Sequence, residues 1–247
     1  MDIDRASRRT IVVVLALAVT TLLLDHVLGG SRVDRQDDDV GWQADNVVEL
    51  PTPQRTGDVS VEETLADRRS RREYADAPLE RSELGQLLWA AQGITDESTG
   101  FRAAPSAGGL FPLEVYVLVG DPGVTGLESG VYRYRPETHE LARGERDASQ
   151  AALRDAAVDQ DHVEDAPVDI VIAAVDERTT GKYTGRGRSR YVPMEAGHAS
   201  QNVYLQAEAL GLSTVAVGAF VDDGVLDVLG TDPGQRPLYI MPVGKRV

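Results

Sequence analysis

The 247-residue sequence predicts an α+β fold, with a mixed and mainly antiparallel sheet flanked by helices. Two observations support this prediction. Helical periodicities and short apolar runs are interspersed along the chain, without the regular strand–helix–strand alternation of a parallel sheet. Alternating residues over 131–134 and a second short run around Leu141 flank a turn at 136–139, which is typical of an antiparallel hairpin.

Helices are expected where apolar residues recur with helical spacing. The first begins at Ser60, because Ser60 and Glu63 have the spacing of a capping box. The next spans 79–91, carries its leucines on one face and ends at Gly93. A third helix, over 195–210, is the longest. The remaining helices are predicted at 148–158 and 223–229, and apolar runs predict strands at 113–119, 168–175, 213–220 and 237–243.

Residues 1–28 are predicted to be an export signal or a membrane anchor. Arginines precede an apolar run from Ile11 to Leu24 that only two threonines interrupt. Fourteen helical residues span roughly 21 Å, short of a hydrocarbon core of about 30 Å and more typical of a signal segment. Arg8-Arg9 resembles the twin-arginine signal that exports folded proteins. The positive-inside rule then places the remaining chain outside the membrane, with a cytoplasmic location as the alternative.

Residues 29–58 are predicted to form an acidic, flexible linker. Gly29-Gly30-Ser31, three consecutive aspartates and Pro51-Thr52-Pro53 supply breaks and charge, with little apolar periodicity. The folded domain is then expected to span 59–247, a length sufficient for one hydrophobic core.

The composition excludes several function classes. Asp and Glu outnumber Lys and Arg by 40 to 25, which gives a formal net charge of −15 spread along the chain. Such a surface repels nucleic acid, so no nucleic-acid partner is expected. It is typical of a halophile-like protein, because high salt screens the self-repulsion. The absence of cysteine excludes disulfides, thiol nucleophiles and thiolate metal sites.

Residues 68–72 form a dense positive cluster, Arg68-Arg69-Ser70-Arg71-Arg72. Neighbouring like charges repel each other, so carboxylates or a bound anion should compensate them. Guanidinium groups bind phosphate oxygens bidentately, and a hydroxyl beside them suits a terminal phosphate. The cluster therefore indicates either a phosphate site or a solvated arginine run that pairs with acidic neighbours.

Two further segments are candidates for binding or catalysis. Pro105-Ser106-Ala107-Gly108-Gly109 could bring backbone amides close to a flat ligand, or it could be a simple turn. Gly181-Lys182-Tyr183-Thr184-Gly185 is predicted to be a loop. Its amine and phenol could transfer protons, or they could be ordinary exposed side chains.

Other common sites find little support in the sequence. Glu195 and His198 have the spacing of a di-metal carboxylate site, but such a site needs a second Glu-x-x-His motif, which is missing, so no metal is expected. No Gly-x-Ser-x-Gly elbow indicates a serine hydrolase, and no glycine-rich phosphate loop indicates a nucleotide fold.

Five segments together resemble the nitroreductase superfamily in order and spacing, and within it the SagB-type azoline (thiazole- and oxazole-forming) dehydrogenases. They are RRSRREY at 68–74, LLWAAQG at 87–93, PSAG at 105–108, KY at 182–183 and EAGHASQN at 195–202. The resemblance extends from about residue 60 to Val247. One departure is the arginine-rich segment 184–190, where that family tends to carry a further aromatic residue.

This resemblance implies a homodimer with FMN at the subunit interface. It implies that the arginine segment holds the FMN phosphate, that the PSAG loop lies against the flavin or its ribityl chain, and that residues from later elements complete the pocket. It also implies that the Lys-Tyr pair abstracts a proton. The cofactor residues would be Arg68, Arg69, Ser70, Arg72, Pro105, Ser106, Ala107, Gly108, Glu195, Gly218 and Lys245, and the catalytic pair Lys182 and Tyr183.

The predicted function is therefore an FMN-dependent oxidoreductase that transfers hydride through flavin N5, with a peptide azoline or similar heterocycle as the first substrate hypothesis. Hydride can leave such a ring only as a neighbouring base accepts the ring proton. One alternative is an NAD(P)H-dependent nitro or quinone reductase. The other is a flavin-free surface domain that serves in binding or as a scaffold.

Overall fold

The computed structural model describes residues 42–146, 148–231 and 233–247. The predicted signal or anchor at 1–28 and the first part of the predicted linker lie outside the described residues. The strands are β1 (Trp42–Glu49), β2 (Ile94–Asp96), β3 (Phe101–Arg102), β4 (Leu113–Val119), β5 (Gly130–Arg135), β6 (Glu140–Gly144), β7 (Val168–Ala174), β8 (Leu212–Thr214) and β9 (Arg236–Lys245). The helices are α1 (Val61–Asp67), α2 (Arg81–Gln92), α3 (Gln150–Ala156), α4 (Asp161–Glu164), α5 (Glu177–Tyr183), α6 (Val192–Ala209) and α7 (Asp222–Leu229).

Within the described residues, seven strands form one sheet in the order β1-β6-β5-β4-β7-β9-β8. Each neighbouring pair in it runs antiparallel. The predicted hairpin is the β5–β6 pair, in which Tyr134 lies opposite Leu141. The α+β class and the mainly antiparallel sheet are confirmed.

Helices cover both faces of the sheet, because the buried strands are apolar on both sides. On one face α2 and α6 pack through residues such as Leu87 and Val203 against Val115 of β4. On the other face α3, α4 and α7 pack against Tyr116 and its neighbours. Among the helices of residues 42–247 that the structure describes, none is both long and apolar enough to cross a bilayer.

The predicted linker is wrong over its second half, since β1 occupies Trp42–Glu49. This strand pairs with β6, with Val48 opposite Leu141. Trp42 is buried, and its ring centroid lies 5.3 Å from that of Tyr116. An edge strand needs few apolar residues of its own because its partner strand supplies the hydrogen bonds. The folded domain therefore begins no later than Trp42, and the boundary at 59 is too late.

Two other predictions differ from the structure. The strand expected at 213–220 is shorter, because β8 ends at Thr214 and Val217 makes only an isolated bridge to Ile240. The expected loop around Lys182 is instead the end of α5, which closes at Tyr183. Thr184, with a φ of 53°, ends the helix there.

Candidate functional site

The predicted site residues lie in two groups, one around the first turn of α6 and the other around Tyr204, further along the same helix. Glu195 is in its first turn and Tyr204 lies nine residues further along, a separation of about 14 Å along the helix axis. We call the residues around Glu195 the loop cluster: Ser106, Ala107, Gly108, Lys182, Tyr183 and Glu195. We call those around Tyr204 the arginine cluster: Arg68, Ser70, Tyr204 and the segment 216–218.

The loop cluster brings the Lys-Tyr pair onto the backbone of the PSAG loop. A Cβ atom placed on Gly108 would lie 2.7 Å from the Tyr183 hydroxyl and 3.0 Å from Lys182 Nζ. Gly108 also has a φ of 68°, a conformation that favours glycine. The two predicted catalytic side chains therefore contact the loop at a position where any side chain would collide with them. Pro105 precedes this contact and is exposed.

Glu195 lies beneath the same loop and is 2% exposed. Neither carboxylate oxygen has a hydrogen bond of ordinary geometry within the described residues. The Ser106 hydroxyl and the Ala107 amide are close enough to lower its pKa, as is the charge of Arg102. Burial is the larger effect and raises the pKa of Glu195 to about 7. The loop therefore rests on a carboxyl group that changes charge near neutral pH.

A buried ion network holds α5, which carries the Lys-Tyr pair, against the sheet. Arg178 pairs with Glu114 of β4 at 2.5 Å and donates to the Phe111 carbonyl at 3.2 Å. Arg133 of β5 pairs with the other oxygen of Glu114 at 3.0 Å. Arg178 lies one helical turn before Lys182 and shares its face. The network thus fixes the position of Lys182 relative to the strand that follows the loop.

A second ion pair holds the beginning of α5. Asp176 accepts two hydrogen bonds from Arg236 of β9, at 2.7 and 2.9 Å. Asp176 also pairs at 3.3 Å with Arg188, which lies in a single π-helical turn, Gly187–Tyr191. Tyr191 of that turn contacts Tyr183 edge to face, with ring centroids 4.9 Å apart. Both ends of α5 are therefore fixed by contacts to distant parts of the chain.

Tyr204 assembles the arginine cluster. The guanidinium of Arg68 lies 5.0 Å from the centre of its ring. The Tyr204 hydroxyl accepts a hydrogen bond from the Ala216 amide at 2.7 Å and shares one with the Ser70 hydroxyl at 3.0 Å. Gly218 is exposed two residues beyond Ala216. Tyr204 was not among the predicted site residues; the available signal was an aromatic residue with a polar tip on the predicted long helix, nine residues after Glu195.

The remaining basic residues of this region have different partners. Arg69 donates to the Ala66 and Arg68 carbonyls at the end of the preceding helix, α1. Arg71 pairs with Glu208 at 2.6 Å, and Lys245 pairs with Glu83 at 2.5 Å. Arg72 is exposed and forms no ion pair with any residue that the structure describes. Of the predicted phosphate ligands, Arg68, Ser70 and Arg72 thus have no carboxylate partner among the described residues, whereas Lys245 pairs with Glu83 and Arg69 donates to two carbonyls.

Comparisons with known proteins identify relatives over this whole region. The Nitroreductase family matches residues 65–245. A protein of Methanocaldococcus jannaschii, provisionally named a nitroreductase, is 47% identical over 192 residues, 77% of this chain and 93% of that protein. Trifolitoxin-processing protein TfxB of Rhizobium leguminosarum bv. trifolii is 31% identical over 135 residues, 53% of this chain and 36% of TfxB.

Solved structures show the same fold. A protein of Ralstonia eutropha, also provisionally named a nitroreductase, superposes with a TM-score of 0.71 at 30% identity, over 81% of this chain and 90% of that one. A family protein of Desulfovibrio desulfuricans, solved in complex with FMN, superposes with a TM-score of 0.55 at 21% identity, over 77% of this chain and 88% of that one. The second likeness concerns the fold alone.

Proposed function

This chain belongs to the nitroreductase family, and we propose that it is an FMN-dependent oxidoreductase that dehydrogenates a peptide azoline or a similar heterocycle. The observation that carries the substrate part is the contact of Lys182 and Tyr183 with the backbone of Gly108. This contact supports the proposal because a flat ligand lying against the loop would meet an amine and a phenol together. The likeness to TfxB, a protein named for processing a toxin, also supports a role in modifying a specific product.

The residues present suit FMN. Arg68, Ser70 and Arg72 offer cationic and hydroxyl donors to a phosphate. At Gly109 of the same loop nothing lies within 4 Å of the position that a Cβ would take, so the backbone there is open to a flat ring, and the buried Glu195 carboxyl has no hydrogen-bond partner among the described residues. When bound there, FMN supplies a two-electron acceptor for hydride.

The protein's own residues would manage the proton. Dehydrogenation of a ring removes a hydride and a proton, and the proton needs an acceptor within hydrogen-bond reach. Lys182 Nζ has no hydrogen bond within the described residues, and the Tyr183 ring is held by Tyr191. The neutral amine of Lys182 or the phenolate of Tyr183 can accept the proton, while α5, fixed at both ends, keeps them in place.

A second candidate is the reduction of a nitro compound or quinone by a nicotinamide donor. The 47% identity to a protein provisionally named a nitroreductase favours it. This reaction does not require a base at the position of Lys182, since the acceptor takes hydride and then a proton from solvent. The two candidates therefore differ in their dependence on one side chain.

Replacing Lys182 with alanine distinguishes the two candidates. For a heterocycle dehydrogenase we expect flavin content to be unchanged and kcat on an azoline peptide to fall by about a hundredfold or more, the usual contribution of a general base. Quinone reduction by the same protein should change by less than about threefold. Arg154→Ala, which removes a cation from α3, is the matched control. Equal losses in both reactions, or none, would contradict the assignment of Lys182.

Replacing Arg72 with alanine tests the phosphate site. A charge-assisted hydrogen bond contributes about 1.5–3 kcal/mol, so we expect the Kd for FMN, measured by fluorescence quenching, to rise about ten- to a hundredfold. Arg69→Ala is the matched control, and its effect should be smaller because Arg69 donates to carbonyls at the end of α1. An unchanged Kd for the Arg72 variant would refute the phosphate assignment.

We also propose that two copies of the chain associate. Val61 and Leu65 of α1 are 64% and 55% exposed, and Met194 of α6 is 53% exposed. A groove of about 910 Å³ includes Val61 in its lining, together with the segment 54–59 and residues of α2 and the second half of α6. Exposed apolar area of this kind is typical of a subunit interface. Sedimentation velocity of residues 42–247, a range that retains β1, would give the mass of one copy if this proposal is wrong.

A further inference from the structure

The charge of this chain is distributed unevenly around the loop cluster. Within 42–247, the two longest stretches of sequence without Asp or Glu are 178–194 and 98–113. The first contains Arg178, Lys182, Arg186, Arg188 and Arg190, and the second contains Arg102. In a protein with a net charge of −15, these two stretches are exceptional because they carry positive charge and no acidic residue.

The fold brings the two stretches together. Lys182 and Tyr183 of the first contact Gly108 of the second. Arg178 donates to the Phe111 carbonyl at 3.2 Å, which joins the same two stretches at a second point. The loop cluster is therefore the place where the two longest acid-free parts of the described domain meet.

Two cations of this region, Arg186 and Arg190, remain exposed without an ion pair to any described residue, and we call them the rim cations. The basic residues Arg102, Arg178 and Arg188 are engaged, since they pair with Glu137, Glu114 and Asp176. Lys182 is not counted among the rim cations, because its proposed role as a base requires the neutral amine.

The rim cations lie close to the Lys-Tyr pair. Arg186 is three residues after Tyr183, which places its Cα within about 11 Å of the Cα of Tyr183. Arg190 directly precedes Tyr191, whose ring contacts that of Tyr183. The chain between them folds back on α5, because a Cβ on Gly187 would lie 2.9 Å from the Thr179 carbonyl carbon. The two arginines are thus held beside the catalytic pair.

We propose that the rim cations bind an anionic group, a phosphate, sulfonate or carboxylate, of the molecule that reacts at the loop cluster. This inference rests on the proposed function, since it takes the reaction to occur beside Lys182 and Tyr183. Guanidinium groups bind such oxyanions bidentately. In an acidic protein, two of them without carboxylate partners attract an anion to this part of the surface. High salt shortens the range of this attraction without removing direct contacts.

The anionic group belongs to one of two molecules. One is the nicotinamide donor; the other is the heterocycle or other compound that exchanges hydride with the flavin. Arg186→Gln/Arg190→Gln removes both rim cations, and Arg146→Gln/Arg154→Gln removes the same charge from the region of α3 as the matched control. One arm compares reduction of 1,4-naphthoquinone-2-sulfonate with that of neutral 2-methyl-1,4-naphthoquinone. The other compares flavin reduction by NADPH with that by phosphate-free dihydronicotinamide riboside.

For the rim variant we expect kcat/KM of the anionic compound to fall about tenfold in at least one arm, while the neutral compound changes by less than about twofold. A loss confined to the NADPH arm assigns the anion to the donor, and a loss confined to the quinone arm assigns it to the other substrate. Unchanged ratios in both arms, or equal losses in the control, would overturn the proposal.

Binding without turnover separates this inference from the proposed function. Calorimetric titration of the oxidised protein with 1,4-naphthoquinone-2-sulfonate should give a Kd that rises about tenfold in the rim variant and stays constant in the control. A protein that holds flavin and reduces the neutral quinone, but shows no such rise, keeps its proposed function and loses the rim site. A protein without flavin loses the proposed function, while the titration still decides the rim.

Discussion

Glu114→Gln is expected to lower the free energy of unfolding by about 3–5 kcal/mol, the usual cost of breaking a buried ion network. Glu114 lies between Arg133 and Arg178, and all three side chains are less than 10% exposed. Glutamine has nearly the same shape but no charge. It would leave two buried guanidinium groups without the carboxylate between them, and their mutual repulsion would favour the unfolded state.

Urea denaturation followed by circular dichroism measures this loss. Glu164→Gln is the matched control: Glu164 pairs with Arg154 at 2.6 Å, but both side chains are about a third exposed or more, so we expect a loss below about 1 kcal/mol. The Glu114 variant should also lose heterocycle turnover at temperatures where it remains folded, because Arg178 no longer holds α5. A loss below about 1 kcal/mol for Glu114→Gln would show that the network does not stabilise the fold.

Much of the fold could be predicted because its elements have strong local signals. The strand at 113–119 was expected with the bounds that β4 has, since a continuous apolar run between chain breaks has few other stable conformations. The capping box at Ser60 is present, with Glu63 accepting from the Ser60 amide at 2.8 Å. These features depend on residues close together in sequence.

The elements that were not predicted depend on distant partners. β1 is stabilised by β6, about a hundred residues later, and its own composition resembles a linker. The end of α5 lies between Gly181 and Gly185, and the sequence therefore predicts a loop there. Ion pairs from Asp176 to Arg236 and from Arg178 to Glu114 stabilise it as a helix. Nothing near these residues in sequence indicates such pairs.

The candidate site was likewise predictable only where its residues lie close together in the sequence. The arginine segment, the PSAG loop and the Lys-Tyr pair could be found as motifs, and the structure brings the last two into contact. The partner of each individual arginine could not be predicted from the sequence. Arg71 is engaged by Glu208, which lies 137 positions later, whereas Arg72 has no described ion pair. Tyr204 was missed for the same reason, since only the fold places it beside Ser70.

Asp169→Asn is expected to make the protein more stable relative to the parent as the pH rises. Asp169 lies in the centre of the sheet on β7 with no exposed surface, and neither carboxylate oxygen has a hydrogen-bond partner among the described residues. Burial raises the pKa of Asp169 well above its usual value, and the nearby Tyr74, whose hydroxyl is buried and whose own pKa is raised, offers no positive charge.

The direction of the effect follows from proton binding. In the unfolded chain an aspartate has a pKa of about 3.9, so the folded state holds the proton more tightly. The stability that the neutral carboxyl allows is fully present below about pH 4 and is lost as the pH rises through the folded-state pKa. Each unit of elevation costs about 1.4 kcal/mol at a pH above both values. Asparagine stays neutral, so its variant escapes this loss.

The measurement is the free energy of unfolding in urea at pH 5 and pH 8 for both proteins. Glu195, with a pKa raised to about 7, destabilises both proteins equally over this range and cancels in the comparison. The parent should lose at least about 1 kcal/mol more than the variant between the two pH values, whatever constant cost the buried amide adds. Asp176→Asn is the control: its carboxylate is buried but paired with Arg236, so asparagine there should destabilise the protein at both pH values. Equal changes in the free energy of unfolding between pH 5 and pH 8 for the parent and Asp169→Asn would contradict this prediction. They would mean that Asp169 has the same pKa in the folded and unfolded chains, which its burial without a partner should prevent.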